Sequence, residues 1–346
     1  MADELSLYAA LLGERGGRLG RLLEGMMTAQ VTLVLARLGV PDELAGGPLT
    51  VDQLAPRVGA APDALGRLLA AAAAYGLVSQ DSQGRFALTE DGELLRTDVD
   101  GSARALAIGF FGPPIWANFG RTADVVRNPA PVNPAEPGGV FEYYAKHPED
   151  AVWFAQGMGR ATTILVAQLA KAGFRPLTGG RIVDVGGGQG TLLAYLLQAV
   201  PGATGVLLDR PEALAAAPGY LAGAGVADRV ELVPGDFLRE VPAGDLHVIC
   251  HTLHNWDDEH ARAIVGNCSR ASRPGGGLMV IDQVLPDGPE PSEAHLMDLI
   301  MMLAVGGRER TRAEHEALLG SAGYTLVRET PVTEVLPWRV LEFERP

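Results

Sequence analysis

Apolar positions change their period along this chain. Between Leu19 and Gly39 they recur at helical spacing (Leu22, Leu23, Met26, Met27, Val31, Leu33, Val34, Leu35, Leu38) and cover more than one face. A helix of that kind is enclosed on several sides or forms a partner interface, and an interface is the reading favoured here. From Leu49 to Arg96 the rhythm is short. Thr50 caps a helix over Val51–Val58, a second helix runs Ala61–Tyr75, and a hairpin over Val78–Leu88 turns at Ser82-Gln83-Gly84. Thr89 then opens another helix. Gly101–Asn133 mixes turns with aromatics, including Trp116, and Asn128–Gly139 is rich in Pro and Gly and reads as a loop. Phe141–Tyr144 and Pro148–Ala172 are helical, the second long enough to link two domains. From Gly180 onward, apolar strands near 181–185, 204–208, 230–234, 245–252 and 276–284 alternate with helices, which builds a parallel sheet covered on both faces. Tyr324–Val332 and Trp338–Phe343 have no helix between them and are predicted as an antiparallel pair at one edge. The class is α/β, with a helical N-terminal region ahead of a mostly parallel sheet.

The N-terminal order of helices and hairpin is that of a winged helix. A DNA-binding version would place a basic helix in the major groove. Here the second helix, APDALGRLLAAAAAYG, carries Arg67 as its only cation, so the region is read as structural. The whole chain agrees: 28 Lys and Arg stand against 42 Asp and Glu in 346 residues, a formal charge of −14, the wrong sign for a nucleic-acid partner. Two cysteines, Cys250 and Cys268, both in segments read as buried, make no disulfide framework. The start, MADELSLYAALLGERGG, lacks a basic region followed by an apolar core, and no run reaches the about 18 apolar residues of a membrane helix. The expectation is a cytoplasmic protein without a membrane partner.

The candidate chemistry lies at the C-terminal ends of the predicted strands, where open parallel sheets bind ligands. Strand 181–185 runs into RIVDVGGGQGT, with a helix expected from about Gln189. Thr191 stands where the dinucleotide fingerprint needs its third glycine, so that motif fails. What remains is an acid followed by G-x-G-x-G: Asp184, Gly186, Gly188, Gly190. These glycines let the backbone turn tightly and approach a ligand closely. Asp209, 21 residues beyond Gly188, ends the next strand at about the interval expected of a ribose-binding acid, and it is equally placed to cap a helix ahead of Pro211. Asp236 with Phe237 suits an adenine, or Asp236 simply caps a turn. His254 is the leading catalytic candidate, because an imidazole just past a strand can take a proton from a hydroxyl at neutral pH. His247, His251, His254 and His260 invite a metal reading. However, His251 and His254 are three apart, which on a strand points them to opposite faces, so no metal is expected.

Together these motifs, with Leu253-His254-Asn255-Trp256-Asp257-Asp258-Glu259, Arg273-Pro274-Gly275-Gly276 and Gly306-Gly307-Arg308-Glu309-Arg310-Thr311 in order, resemble the S-adenosylmethionine (SAM)-dependent O-methyltransferases of the caffeic acid/hydroxyindole type, in their bacterial natural-product branch. The likeness covers nearly the whole chain. It implies a winged-helix dimerisation domain over 1–100, a helical linker contributing to the substrate pocket over 101–172, and a Rossmann-like SAM-binding catalytic domain over 173–346. It implies a homodimer whose N-terminal helices help close the partner's pocket. Residue by residue, it implies that the Asp184–Gly190 loop holds the methionine part of SAM, that Asp209 takes the ribose, and that Asp236 and Phe237 address the adenine. Met158 and Thr162 match positions at the methionine end and the cleft. His254 would be the general base, Glu309 the carboxylate that orients it, and Asp282 a second one, a methylene shorter than the Glu of the plant enzymes. Cys250 stands where those enzymes have Lys. Ala304 and Val305 replace polar pocket positions, so a plant phenylpropanoid is not implied. Trp116, Phe154, Asn255, Met297 and Met301 are the expected substrate-pocket residues, the last two from the apolar, Met-rich run His295–Val305 that suits a flat acceptor or a core helix.

The expected activity is methyl transfer from SAM to a hydroxyl of an aromatic or polyketide-type molecule. C- or N-methylation and non-methyl chemistry (decarboxylation, hydroxylation, a pericyclic reaction) remain alternatives on the same fold. A ligand-sensing winged-helix regulator is disfavoured by the charge.

Overall fold

The computed structural model describes residues 17–128, 139–333 and 336–345. The stretch read for a targeting signal and most of the Asn128–Gly139 loop lie outside these. The chain forms two compact units. One holds the residues up to Trp116 with Glu149–Met158, the other Ala117–Pro148 and the residues from Gly159 onward.

In the first unit a helix over Gly17–Leu38 is followed by short helices Val40–Leu44 and Val51–Leu54, the helix Pro62–Ala74, and strands β1 (Val78–Gln80) and β2 (Phe86–Leu88) paired antiparallel. Thr50 and Gln53 cap reciprocally, which fixes where the second short helix begins. That helix stops at Leu54 rather than at Val58. Pro56 has no N–H with which to extend the ladder. Leu35, Val40, Leu54, Leu65, Leu69, Val78 and Phe86 form the core. The all-round apolar helix divides along its length. Its C-terminal half is buried at Leu33, Leu35 and Ala36, whereas Leu19, Leu22, Leu23 and Met26 are each more than half exposed.

In the second unit the sheet order among the described residues is β5-β4-β3-β6-β7-β10-β9. The strands are β3 (Arg181–Val185), β4 (Thr204–Asp209), β5 (Val230–Pro234), β6 (Gly244–Cys250), β7 (Ser272–Leu285), β9 (Thr325–Pro331) and β10 (Trp338–Glu344). A two-residue β8 (Arg310–Thr311) pairs with the end of β7. β3 through β7 are parallel, and β10 runs antiparallel to both β7 and β9. The hairpin forms the expected antiparallel pair at one edge, with its second strand beside β7 and its first strand outermost. The burial explains the choice: Val340–Phe343 are buried at four successive positions, while β9 alternates exposed and half-buried and suits an edge. Alternate residues feed two cores. Ile182, Leu207 and Met279 face Leu165 and the helix Thr191–Ala199, and Val183, Leu208 and Val280 face the helices Asp258–Ala271 and Arg312–Gly320. No described helix is long and apolar enough to cross a membrane.

Candidate active site

The glycine loop sits at the end of β3. Gly186, Gly188 and Gly190 have φ of 78°, 57° and 84°, left-handed values that exclude most side chains. Gly187 is required for space: a Cβ there would lie 2.4 Å from the Asp184 carboxylate and 2.5 Å from Leu207. The following helix starts at Thr191, two residues later than the sequence suggested, because Gly190 is its left-handed N-cap. The Gly188 N–H donates to Asp209 Oδ2 (2.8 Å) and the Arg210 N–H to Oδ1 (2.7 Å), so the Asp209 carboxylate is fixed in orientation. Burial pushes its pKa up. Asp184, 1% exposed, finds no hydrogen-bond partner for either oxygen. Burial, helped by the charge of Asp209, pushes it up to about 7.

Asp236 is exposed and accepts the Leu238 N–H (2.9 Å), the turn-capping geometry. Phe237 turns back to the loop: its Cε1 lies 3.4 Å from where a Gly186 Cβ would be, and its ring meets Trp256 edge-on at 6.1 Å. Thr252, which the sequence reading passed over, reaches the same place, its Oγ1 lying 2.9 Å from that Cβ position. The helix Pro148–Lys171 approaches the loop at Gly159, where a Cβ would meet Gln189 Nε2 at 2.7 Å. Thr162 lies one turn further along that helix. Met158, Phe154 and Trp116 belong to the first unit, where Phe154 packs on Phe110 with ring centroids 6.4 Å apart.

The chain leaves β6 at Cys250, turns through His251 at φ 50°, and places His254 in a 3-10 turn, Leu253–Asn255. This corrects the strand geometry assumed for the two histidines. Their rings are not on opposite faces but 5.9 Å apart, and His251 also packs on Trp338 at 5.4 Å. Among the described residues, no group of three or more His, Cys, Asp or Glu side chains could hold a metal ion. His254 Nδ1 lies 2.7 Å from Glu309 Oε1, with both residues buried. Asp282 is 4.0 Å from the same nitrogen, too far for a hydrogen bond. The Glu309 oxygen accepts from Nδ1–H, so Nε2 is the ring nitrogen outside this contact. Burial alone would lower the pKa of His254, but the charge and hydrogen bond of Glu309, with Asp282 beyond, raise it to about 9. Burial raises Asp282 to about 7 and, with His254 nearby, depresses His251 to about 3.

The His254–Glu309 pair is held from below by contacts that the sequence pattern does not show. Gly307 passes so close that a Cβ would lie 2.0 Å from the His254 carbonyl oxygen. The Arg308 N–H donates to that oxygen (2.9 Å) and the Glu309 N–H to Asp298 Oδ1 (2.9 Å). Asp298 lies on the helix Glu293–Ala304, which also carries the half-buried Met297 and Met301 one turn apart. Asn255 Nδ2 donates to the His251 carbonyl (3.1 Å).

Comparison with known proteins agrees with this geometry. Residues 119–325 match the O-methyltransferase domain family, and residues 21–98 match the O-methyltransferase dimerisation domain. The chain is 35% identical to the phenazine O-methyltransferase PhzM of Lysobacter antibioticus, over 91% of this chain and 93% of that protein. It is 34% identical to the 8-amino-8-demethylriboflavin N,N-dimethyltransferase of Streptomyces davaonensis, over 92% of each. The O-methyltransferase NcsB1 from neocarzinostatin biosynthesis, solved with SAM and 2-hydroxy-5-methyl naphthoic acid, superposes with a TM-score of 0.80 at 32% identity, covering 92% of this chain and 96% of that one. A sheet with a glycine loop at one strand end, a buried His–Glu pair at another, and matches to both domains along the chain lead to one conclusion: this protein belongs to the SAM-dependent O-methyltransferases that carry an N-terminal dimerisation domain.

Proposed function

We propose that this enzyme methylates a hydroxyl of an aromatic or polyketide-type small molecule, with His254 as the general base. The observation that supports this most is the buried His254–Glu309 contact of 2.7 Å, which holds one ring nitrogen and leaves the other for chemistry. The residues present fit SAM. The left-handed glycines form a cradle without side chains, and Asp209 is already held by the Gly188 N–H beside it. In this reading Asp184 to Gly190 shape the loop around the methionine part, Asp209 accepts from the ribose hydroxyls, and Phe237 offers a ring to the adenine. Asp236 turns from its cap to the exocyclic amine, and Met158 and Thr162 border the methionine end.

Bound SAM supplies an electrophilic methyl group on a sulfonium. The protein's own part is proton transfer and placement. His254 Nε2 takes the proton of the acceptor hydroxyl as the oxygen becomes the nucleophile, and Glu309 stabilises the imidazolium that results. Asp282 adds negative charge behind the ring without a hydrogen bond to it. Asn255, Met297 and Met301 border the flat acceptor, and alignment contributes much of the rate, since well-oriented groups reach effective molarities of roughly 10⁵ M or more. The exposed Leu19, Leu22, Leu23 and Met26 pair with a second copy in a homodimer. The division at about residues 100 and 172 is a functional one, into dimerisation, linking and catalytic parts, in a cytoplasmic enzyme.

The test is incubation with methyl-labelled SAM and a panel of phenolic and polyketide acceptors, read by mass spectrometry, for wild type and His254→Ala. The expected result is a labelled ether, with turnover lost in the variant while calorimetry still finds SAM bound. Unchanged turnover in His254→Ala would remove the histidine from the mechanism. The N-methyltransferase among the relatives supports a second reading, an amine acceptor. A label that resists ether cleavage and that fragmentation places on nitrogen would establish it; one placed on carbon would point to C-methylation instead.

A further inference from the structure

Two charged residues of the sequence motifs have no part in the proton transfer: Asp258, which ends the L-H-x-W-D-D run, and Arg310 of G-G-R-E-R-T. The structure joins them under the catalytic turn. Arg310 is 2% exposed. Its Nη1 donates to the Leu253 carbonyl (3.1 Å), its Nη2 to the Trp256 carbonyl (3.0 Å), and its Nη2 and Nε to Asp258 Oδ1 (2.8 and 3.2 Å). Leu253 and Trp256 bracket His254 on both sides.

The turn needs such help. A three-residue 3-10 turn has little internal hydrogen bonding: here Asn255 N–H to Thr252 (3.2 Å) and Trp256 N–H to Leu253 (3.2 Å). Arg310 comes from a rigid place. It lies in β8, paired with Val284 of β7, and it directly follows Glu309. The dipeptide Glu309–Arg310 thus grips His254 twice, by its imidazole and by the backbone that carries it. The charged and titratable groups around the ring are Glu309, Asp282 and His251, with Arg310 and His315 behind them.

We propose that Arg310, anchored by Asp258, is a positioning residue that fixes the His254 turn so that Nε2 meets the acceptor hydroxyl. A planar guanidinium serves two carbonyls and a carboxylate from three separate nitrogens in a fixed fork, whereas an ammonium must do so from one nitrogen, so it does not span the same positions. This inference rests on His254 being the base.

The experiment compares Asp258→Ala, Asp258→Asn and Arg310→Lys with wild type and His254→Ala. The measurements are kcat, KM, SAM affinity by calorimetry, melting temperature and the pH profile of kcat/KM. The Asp258 side chain is 44% exposed, so its variants keep the fold even if Arg310→Lys does not. Misplacement by about 1 Å can cost about 100-fold in rate. The expected result is a kcat lowered about 100-fold in Arg310→Lys and about 10-fold in Asp258→Ala, with Asp258→Asn, which keeps an acceptor oxygen, recovering most of the loss. SAM affinity stays at the wild-type value, and the rising limb of the pH profile moves to lower pH as the ring slips from Glu309. If folded Asp258→Ala has wild-type kcat and pH profile while His254→Ala is inactive, the clamp is not a positioning device. If kcat, SAM affinity and melting temperature fall together, Arg310 serves the fold alone and the proposal fails. If His254→Ala itself turns over normally, the failure lies in the base assignment.

Discussion

The glycine-loop end of the sheet and the His254 end are built by different means. At β3 and β4 the cradle is backbone: glycines at left-handed φ, an N–H held by Asp209, and a buried Asp184 below. At β6 and β7 the central feature is a buried side-chain pair, His254 with Glu309, and three distant segments assemble it: the 3-10 turn at 253–255, Asp298 on its helix, and Gly307 to Arg310. A backbone cradle tolerates almost no added atoms but needs few partners. A side-chain site tolerates more at its rim and depends on many hydrogen bonds behind it. Changes at the two ends should therefore separate binding of SAM from turnover.

The largest expected effects come from two glycines that lack room for a Cβ. In Gly307→Ala the new methyl would sit 2.0 Å from the His254 carbonyl oxygen, displacing the turn. Turnover should fall by more than about 100-fold while SAM affinity holds. In Gly187→Ala the methyl would meet Asp184 and Leu207 at 2.4 and 2.5 Å. SAM binding should be lost first, with turnover lost only in consequence. Calorimetry and single-turnover labelling on both variants check this, and equal loss of SAM affinity in both would erase the contrast. Gly188→Ala is the milder control. Open space surrounds that position, and only φ of 57° opposes a side chain. Left-handed strain of about 1–2 kcal/mol corresponds to about a tenfold weaker SAM affinity.

Glu309→Gln sharpens the comparison at the His254 end. With the pKa of His254 at about 9, the neutral base grows as pH rises, and kcat/KM should climb through that value. Replacing Glu309 removes the main charge that raises the imidazole, so the limb should move down by more than one pH unit while the plateau falls about tenfold. Stability follows the same linkage. A folded pKa raised above the ordinary 6.5 contributes stability that is complete below pH 6.5 and lost as pH rises through about 9. The variant's deficit in melting temperature should therefore be largest in acid and vanish in base. A limb that stays in place would show that Glu309 does not tune His254.

The same contrast explains what was legible in the sequence. The cradle lies in one stretch, Asp184–Gly190, with Asp209 at a fixed interval, so its residues could be named from spacing alone. The sheet was legible because β3 to β7 read as apolar runs separated by helices. The edge hairpin was legible too, because no helix separates its two strands; which of the two lies inside was not, since that depends on how much of each strand the neighbouring helices cover. At the other end, His254 was named from its place just past a strand, but Glu309 only through a family motif, for 55 residues separate them. Asp298 and Gly307 were missed because each acts on a backbone atom outside its own element, and Thr252 because it faces Gly186 at the end of a different strand. Only Gly307, in a Gly-Gly pair ahead of a charged run, carried a local hint of close approach. The two histidines misled by position: Cys250 ends the strand, and the left-handed His251 swings the chain so that residues expected on opposite faces come together.

The smallest expected effect tests the cradle from beneath. Asp184 has its pKa raised to about 7 from an ordinary 3.8, so its protonated form favours the fold. Its contribution is complete in acid and is lost as pH rises through about 7. Asp184→Asn keeps the shape under Gly187 and has no proton to lose. Without SAM, the variant should match wild type only below about pH 3.8, gain on it progressively as pH rises from there, and hold a constant higher melting temperature above about pH 7. The two differences change in the same direction with pH but from different starting points: the Glu309→Gln deficit closes as pH rises, and the Asp184→Asn advantage opens. Running both variants through one pH series of melting curves therefore compares the two ends of the sheet directly. A flat difference for Asp184→Asn would mean that the buried carboxylate is satisfied by a donor at neutral pH, and the cradle would then rest on a charged floor instead of a neutral one.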